Sequence, residues 1–202
     1  MADKRNRQNV VVGAPEVSAE GAALIGEPIT DASDIPSDAT TTLPTSLQLE
    51  AAGFIGEDGI TKTVDRETEN IPDWHGDDVT VLQTSHSVTL QLQFLEAANG
   101  AVLKTVHGDQ NVTIGENGAI TVKENAAETP EKSFIFEING GGRRVRVVAP
   151  VAKVTEQADT VFSRSDVIRY DVTITCFPDS SGNKLYIFYG PLSNEEGEVE
   201  GS

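Results

Sequence analysis

Residues 87–95 read Ser87-Val-Thr-Leu-Gln-Leu-Gln-Phe-Leu95, and their alternation decides the fold class. Val88, Leu90, Leu92 and Phe94 fall on one side of an extended chain, and Thr89, Gln91 and Gln93 fall on the other. That is the pattern of a strand with one face in a core and one in water. Residues 167–177 repeat it: Ile168, Tyr170, Val172, Ile174 and Cys176 share one face, and Arg169, Asp171, Thr173 and Thr175 share the other. Turn chemistry marks hairpins around these runs. Asn117-Gly118, a pair that favours the left-handed turn, separates Asn111-Val-Thr-Ile114 from Ala119-Ile-Thr-Val122. Asn139-Gly-Gly-Gly142 joins residues 134–138 to 144–148, and Ser180-Ser-Gly-Asn183 joins 167–177 to 185–188. Residues 60–70, paired with 79–82 across the tight loop 72–78, and residues 152–162 read as more polar strands. Asn99 caps a short helix whose stripe is Val102, Leu103 and Val106, and Gly108 ends it. The expectation is an all-β fold over residues 51–190: an antiparallel β-sandwich, barrel-like, with one short helix.

The flanks differ from this unit. Residues 14–50 carry Pro15, Pro28, Pro36 and Pro44 and hold no period, so residues 1–50 read as an extended N-terminal arm. Residues 191–202 are acidic and poor in apolar side chains, which predicts a disordered tail. The net charge of −17 divides as −5, −8 and −4 over residues 1–50, 51–190 and 191–202. Such a chain does not attract nucleic acid, whose binding rests on Lys and Arg neutralising phosphates. No apolar run approaches bilayer length and no apolar segment follows the charged start, so a soluble cytoplasmic product without membrane insertion is expected.

Few groups are set up for chemistry. His75-Gly-Asp-Asp78 and His107-Gly-Asp109 each offer too few ligands for a metal. Ser85, His86 and Ser87 point alternately to opposite faces of a strand. The single Cys176 lies in an alternating apolar run and reads as a small buried hydrophobe. No catalytic centre, metal or cofactor is therefore expected. Two features instead suggest contact with a neighbour. Arg143, Arg144 and Arg146 follow a glycine-rich turn and are placed to grip carboxylates of another subunit. Trp74, the only tryptophan, sits beside His75 in the loop Pro72-Asp-Trp-His-Gly76; it is either a lid on its own core or an anchor in a second subunit.

The order of the remaining signals is distinctive. Asn9-Val-Val-Val-Gly-Ala-Pro15 opens the chain. Gly53-Phe-Ile-Gly-Glu-Asp-Gly-Ile60 is followed by Asp65-Arg-Glu67, the Trp74 loop, Gln83-Thr-Ser85 and Leu95-Glu-Ala97. In this order the chain resembles the tail tube (major tail) proteins of long-tailed, non-contractile bacteriophages of actinobacterial type. It departs from them in the acidity of the 72–78 loop, and no added immunoglobulin-like domain is expected after residue 190. The resemblance implies a structural virion protein, assembled in the host bacterial cytoplasm. Six copies would form a ring, rings would stack head to tail, and each copy would give four strands to an inner barrel. Its partners would be itself, a tape-measure protein inside the tube, and tail terminator and tail-tip proteins. Double-stranded DNA would pass through without specific binding. Residues 60–70 and 152–162 then become candidate lumen strands, with Asp65, Glu67, Glu69, Glu156 and Asp159 as channel-facing acids. The arm or the 71–78 loop would reach the adjacent ring. A tail terminator or a head-decorating β-sandwich is the alternative reading, separated from a tube by whether assembly stops at one ring.

Overall fold

In a computed structural model, which describes residues 10–15, 22–140 and 142–192, the chain forms eleven strands and one α-helix among the described residues. The strands are β1 (Ala14–Pro15), β2 (Ala23–Gly26), β3 (Glu50–Ala51), β4 (Thr61–Pro72), β5 (Asp78–Phe94), β6 (Val112–Ile114), β7 (Ile120–Val122), β8 (Glu131–Asn139), β9 (Arg143–Gln157), β10 (Tyr170–Phe177) and β11 (Tyr186–Leu192); α1 is Gly100–His107. Nine strands make one antiparallel sheet in the order β3-β2-β8-β9-β10-β5-β4, with β1 joined to β8 and β11 to β9. β6 and β7 form a separate hairpin whose turn holds Gly118 at φ +79.

β9 is shared by both halves of this sheet. One edge pairs with β8. The other pairs first with β11, along residues 143–148, and then with β10, along residues 151–157. Pro150 lies where β9 changes partner, opposite the register shift between Lys132 and Phe134. Proline brings no N–H to a ladder and is tolerated at such an irregularity. The two strands expected over 144–148 and 152–162 are thus one continuous strand ending at Gln157, and residues 158–169 form a loop. The turn at 180–183 also differs from expectation. β10 and β11 are both antiparallel to β9, so they run the same way and do not pair with each other. Asp179 closes the excursion between them, accepting from the Ser181 and Asn183 amides at 2.8 and 2.9 Å and from the Tyr186 hydroxyl at 2.5 Å.

The half built from β2, β8 and the start of β9 is covered on both faces. Phe134 and Phe136 point into the main core with Leu90, Phe94, Val102, Val172 and Ile174. Ile135 and Val148 point the other way, against Leu24, Ile29 and Leu47. β8 accordingly reads as a continuous buried run rather than an alternating one. The cover on the second face comes from residues 22–52, the segment expected to be an extended arm. β2 pairs with β8 in full register and is buried throughout. The carbonyls of Asp38 and Thr41 accept from the Arg146 guanidinium at 2.9 Å each, while its Nε donates to Glu137 at 2.6 Å. Lys132 adds a second clasp, 2.7 Å from Glu27 and 3.1 Å from Asp109. A search for regular periods missed this segment because its apolar residues, Leu24, Ile25, Ile29, Ile35, Leu43 and Leu47, are spaced by turns. Residues 1–9, 16–21 and the expected tail from 193 onward lie outside the described residues.

The run 53–59 is clipped to the end of β5. Leu95 donates to the Phe54 carbonyl and Gly56 to the Gln93 carbonyl, both at 2.9 Å. The Glu96 carboxylate closes over this corner, accepting from the Phe54 amide at 3.1 Å and from Asn99 Nδ2 at 3.2 Å. Asn99 also caps α1 through the Ala101 amide at 3.0 Å. Gly53 has φ +76, and a Cβ there would lie 2.0 Å from the Glu96 carboxyl carbon. Gly53→Ala is expected to lose roughly 1–2 kcal/mol to left-handed backbone alone, and more to the collision with Glu96. A double-mutant cycle with Glu96→Ala in urea isolates the second part. Zero coupling between the two positions would show that Glu96 is not what forbids a side chain there.

Candidate assembly surfaces

The half of the sheet made by the end of β9, β10, β5 and β4 is covered on one face only. Its inner face carries Val154, Val172, Ile174, Cys176, Val88, Leu90, Leu92 and Phe94, all buried in the core. Its outer face carries Thr173, Thr175, Ser87, Thr89, Gln91 and Gln93, set by the register of β10 on β5. These groups bond along the face. The Thr155 and Thr175 hydroxyls are 2.8 Å apart, and Gln93 Nε2 donates to Asp171 at 3.2 Å.

β4 continues this face and sorts its charges by side. Paired residues share a side, so Thr61, Thr63, Asp65 and Glu67 lie with Gln91, Thr89, Ser87 and Ser85 on the outer face. Glu69, two residues on, lies there as well. Lys62, Val64 and Arg66 point the opposite way. The register thus gathers three of the five acids singled out from sequence. Glu156 joins them through its pairing with Thr173. Asp159 does not: it lies past the end of β9, in the 158–169 loop. Of the cations near this face, Lys153 is 2.8 Å from Glu128, and Arg169 is 3.1 Å from Asp166 and 3.5 Å from Asp171. The face is left with excess negative charge.

Both edges of this half-sheet are open among the described residues. β4 ends the strand order. On the other side β8 pairs no further than Lys153, leaving residues 154–157 of β9 with only the Thr129 hydroxyl, which donates to the Val154 carbonyl at 2.7 Å. Unpaired strand edges of this length invite pairing with another chain.

β10 pairs with β5 only as far as Thr89. Beyond Ser85 the β4–β5 hairpin pairs with no other strand among the described residues and projects roughly 25 Å at the usual rise per residue. Its side chains are exposed, including Ile71, Val79, Val81 and Leu82. Trp74 at the tip is fully exposed, which removes the reading of a lid on its own core. His75 beside it is also exposed, 3.6 Å from Asp73. The tip itself is well made. Asp73 accepts from the His75 and Asp77 amides at 2.7 and 3.0 Å, and its own amide donates to the Asp77 carbonyl at 2.8 Å. The indole is therefore held out on an ordered turn.

The arginines expected to reach a neighbour divide differently. Arg146 is 4% exposed and is committed to Glu137 and the 38–41 loop, so it grips its own chain. The Thr41 hydroxyl and amide in turn hold Asp38 below the usual carboxyl range. Arg143 is half-buried and Arg144 exposed at the start of β9. His107 packs under β10, edge-on to Tyr170, with Nδ1 2.6 Å from Glu124. Burial pushes the Cys176 thiol up to about 11, as suits a packed side chain. Sequence reading missed a second set of exposed apolar groups: Phe54 at 74% exposure, Phe162 at 78%, and Val161 and Val167. An irregular loop has no period to reveal them.

The profile of the phage tail tube protein family matches residues 13–194. No curated protein sequence matches the chain. Among solved structures the chain is similar to the sheath/tube terminator of an extracellular contractile injection system, PVC, in the extended state (TM-score 0.41, 9% identity, 64% of this chain and 83% of that one). It is also similar to the tube-terminating cap of the anti-feeding prophage (TM-score 0.42, 9% identity, 93% and 98%) and to the PVC sheath-tube complex in the extended state (TM-score 0.40, 8% identity, 91% and 97%).

The tip should be acid-labile. Hydrogen bonds from Asp77 and His75 hold the Asp73 carboxyl below its ordinary 3.8. A depressed value stabilises the folded turn above the ordinary pKa, and the contribution fades as pH falls below it. Protection of the His75 and Asp77 amides, taken relative to their intrinsic exchange rates, should therefore fall below about pH 4 while the β8–β9 core keeps its protection. Asp73→Asn should abolish that pH dependence, and a profile unchanged by the substitution would refute the assignment.

Proposed function

This chain belongs to the phage tail tube protein family, a family of structural virion tail components, and we propose that it works by closing into rings that stack into the tube of a long, non-contractile tail. The observation that carries this reading is the half-sheet with one wet, acid-bearing face and two open edges. In a lone molecule that arrangement wastes a sheet face and leaves backbone groups unpaired. In a ring, β4 of one copy meets the 154–157 edge of the next, and the wet faces line a bore. Six copies contributing four strands each give about 24 strands, more than the 16–18 of porins, enough for a wide aqueous channel.

The acids at Asp65, Glu67, Glu69 and Glu156 then face the lumen, and Asp159 sits at its mouth. A ring of six brings together roughly six times the formal −17, a surface along which DNA is repelled rather than gripped. A tape-measure protein fills the bore during assembly in the host cytoplasm, and tail terminator and tail-tip proteins close the ends. Double-stranded DNA later passes through without specific contacts. Trp74 and His75 on the hairpin reach the adjacent ring, and Arg143 and Arg144 contact a neighbouring copy.

Negative-stain microscopy of the concentrated protein, or of virion tails, should show long hollow cylinders of uniform width. Growth that stops at single rings would favour a terminator instead. Emission from Trp74 should shift to the blue on assembly, because the only indole moves from water into an interface. A second outcome is expected in phage carrying Asp65→Lys, Glu67→Lys and Glu69→Lys together. Tubes should form, but genome ejection should slow severalfold as cations on the bore hold phosphates. Ejection at the normal rate would reject the acids' role.

A further inference from the structure

We propose that the surface receiving the hairpin tip is the 158–169 loop of a second copy, with Phe54 beside it. This rests on the tube reading and names the partner of its stacking contact. The register places the two surfaces at opposite ends of one half-sheet. Pro72 and Asp78 mark one end of the β4–β5 pairing. At the other end lie Phe94, bridged to Ile55 and paired with Tyr170, and Gln157, paired with Val172. Residues 158–169 connect Gln157 to Tyr170, so the loop caps that far end. Each end displays large apolar side chains: Trp74 with Val79 and Val81 at the tip, and Phe162 with Phe54 and Val167 at the other. Two different sticky ends on one molecule make a head-to-tail contact, which builds a filament when its rotation does not close into a ring.

Charge selects the same pairing. The tip carries Asp73, Asp77 and Asp78 against His75 alone, on a chain whose net charge is −17. Most of this surface would repel such a tip. The 158–169 loop is balanced, two acids against two arginines. Arg169 is taken up by Asp166 and Asp171. Arg164 has no carboxylate partner among the described residues and stands two positions from the 78% exposed Phe162. An aromatic beside an unpaired cation suits an indole flanked by carboxylates, since a guanidinium both pairs with Asp77 and stacks on the Trp74 ring.

Cross-linking tests the contact. Asp77→Cys and Ser163→Cys are introduced together and singly, and polymerised protein is oxidised. The native Cys176 is buried and stays out of the reaction. The two positions lie at opposite ends of one molecule, so a disulfide between them must join two copies. Assembled tubes of the double variant should give a ladder of covalent oligomers, and neither single variant should. Phe162→Ser, in an exposed loop that leaves folding intact, should raise the concentration needed for polymerisation about tenfold. Arg164→Glu should block stacking, and Asp77→Arg added to it should restore tubes. Tubes that form without the cross-link, or normally with Phe162→Ser, overturn this receiving surface while leaving the tube reading intact. A wild-type protein that forms no cylinders overturns the tube reading, and this proposal with it.

Discussion

A sheet has two faces, and the chain can supply apolar cover for only part of them. At 38% hydrophobic and 5% aromatic residues, the apolar supply fills one core and one smaller cluster on the back of β8. Everything else in the structure follows from where that cover stops. β8 is buried on both sides because residues 22–52 return to lie over it. β10 and the end of β5 are buried on one side, and their other side carries threonine, serine and glutamine that are content in water. The projecting part of β4 and β5 is buried on neither. A hairpin so bare is held only by its own ladder and a well-bonded turn, and it is marginal as an isolated element. Its fully exposed indole and its aliphatic flanks are surface that no described part of the chain covers.

The clasps explain how the covered half resists opening. Arg146 is deeply buried, yet its Nε meets a carboxylate on β8 and its Nη1 meets two carbonyls of the 38–41 loop. A buried guanidinium so satisfied ties the loop to the sheet, and removal of its partners would leave an uncompensated charge. At the far corner, Gly53 and Glu96 meet so closely that neither tolerates a larger neighbour. The glycine-rich run is therefore a fastening between the return segment and the end of β5.

Much of this was legible in particular residues. Val88, Leu90, Leu92 and Phe94 announced a half-buried strand, and all four are core. Asn99 announced a helix and caps one; Asn117-Gly118 announced a tight turn and makes one. These features depend on neighbours in sequence, so sequence carries them. Asp65, Glu67 and Glu69 alternate along one strand and share its face for the same reason. Other features were hidden. Residues 144–148 and 152–162 read as two strands, yet 143–157 form one, with Pro150 where β9 exchanges β11 for β10. Ser180–Asn183 looked like a hairpin turn, yet the strands it links do not pair. Arg146 looked available and is instead an internal fastener. Asp159, two residues past the end of β9, fell outside the sheet.

What the sequence determined alone was period and punctuation: which stretches extend, which faces are apolar, where the chain turns, and that its surplus charge is negative. Tertiary structure decided which strands share an edge, which apolar segments return to cover which face, and which edges and side chains stay unmatched. The physical reason is range. Backbone conformation and side-chain alternation are set within a few residues, whereas strand order and cover depend on contacts such as Arg146 with Asp38, or Lys132 with Glu27, that span about half the chain.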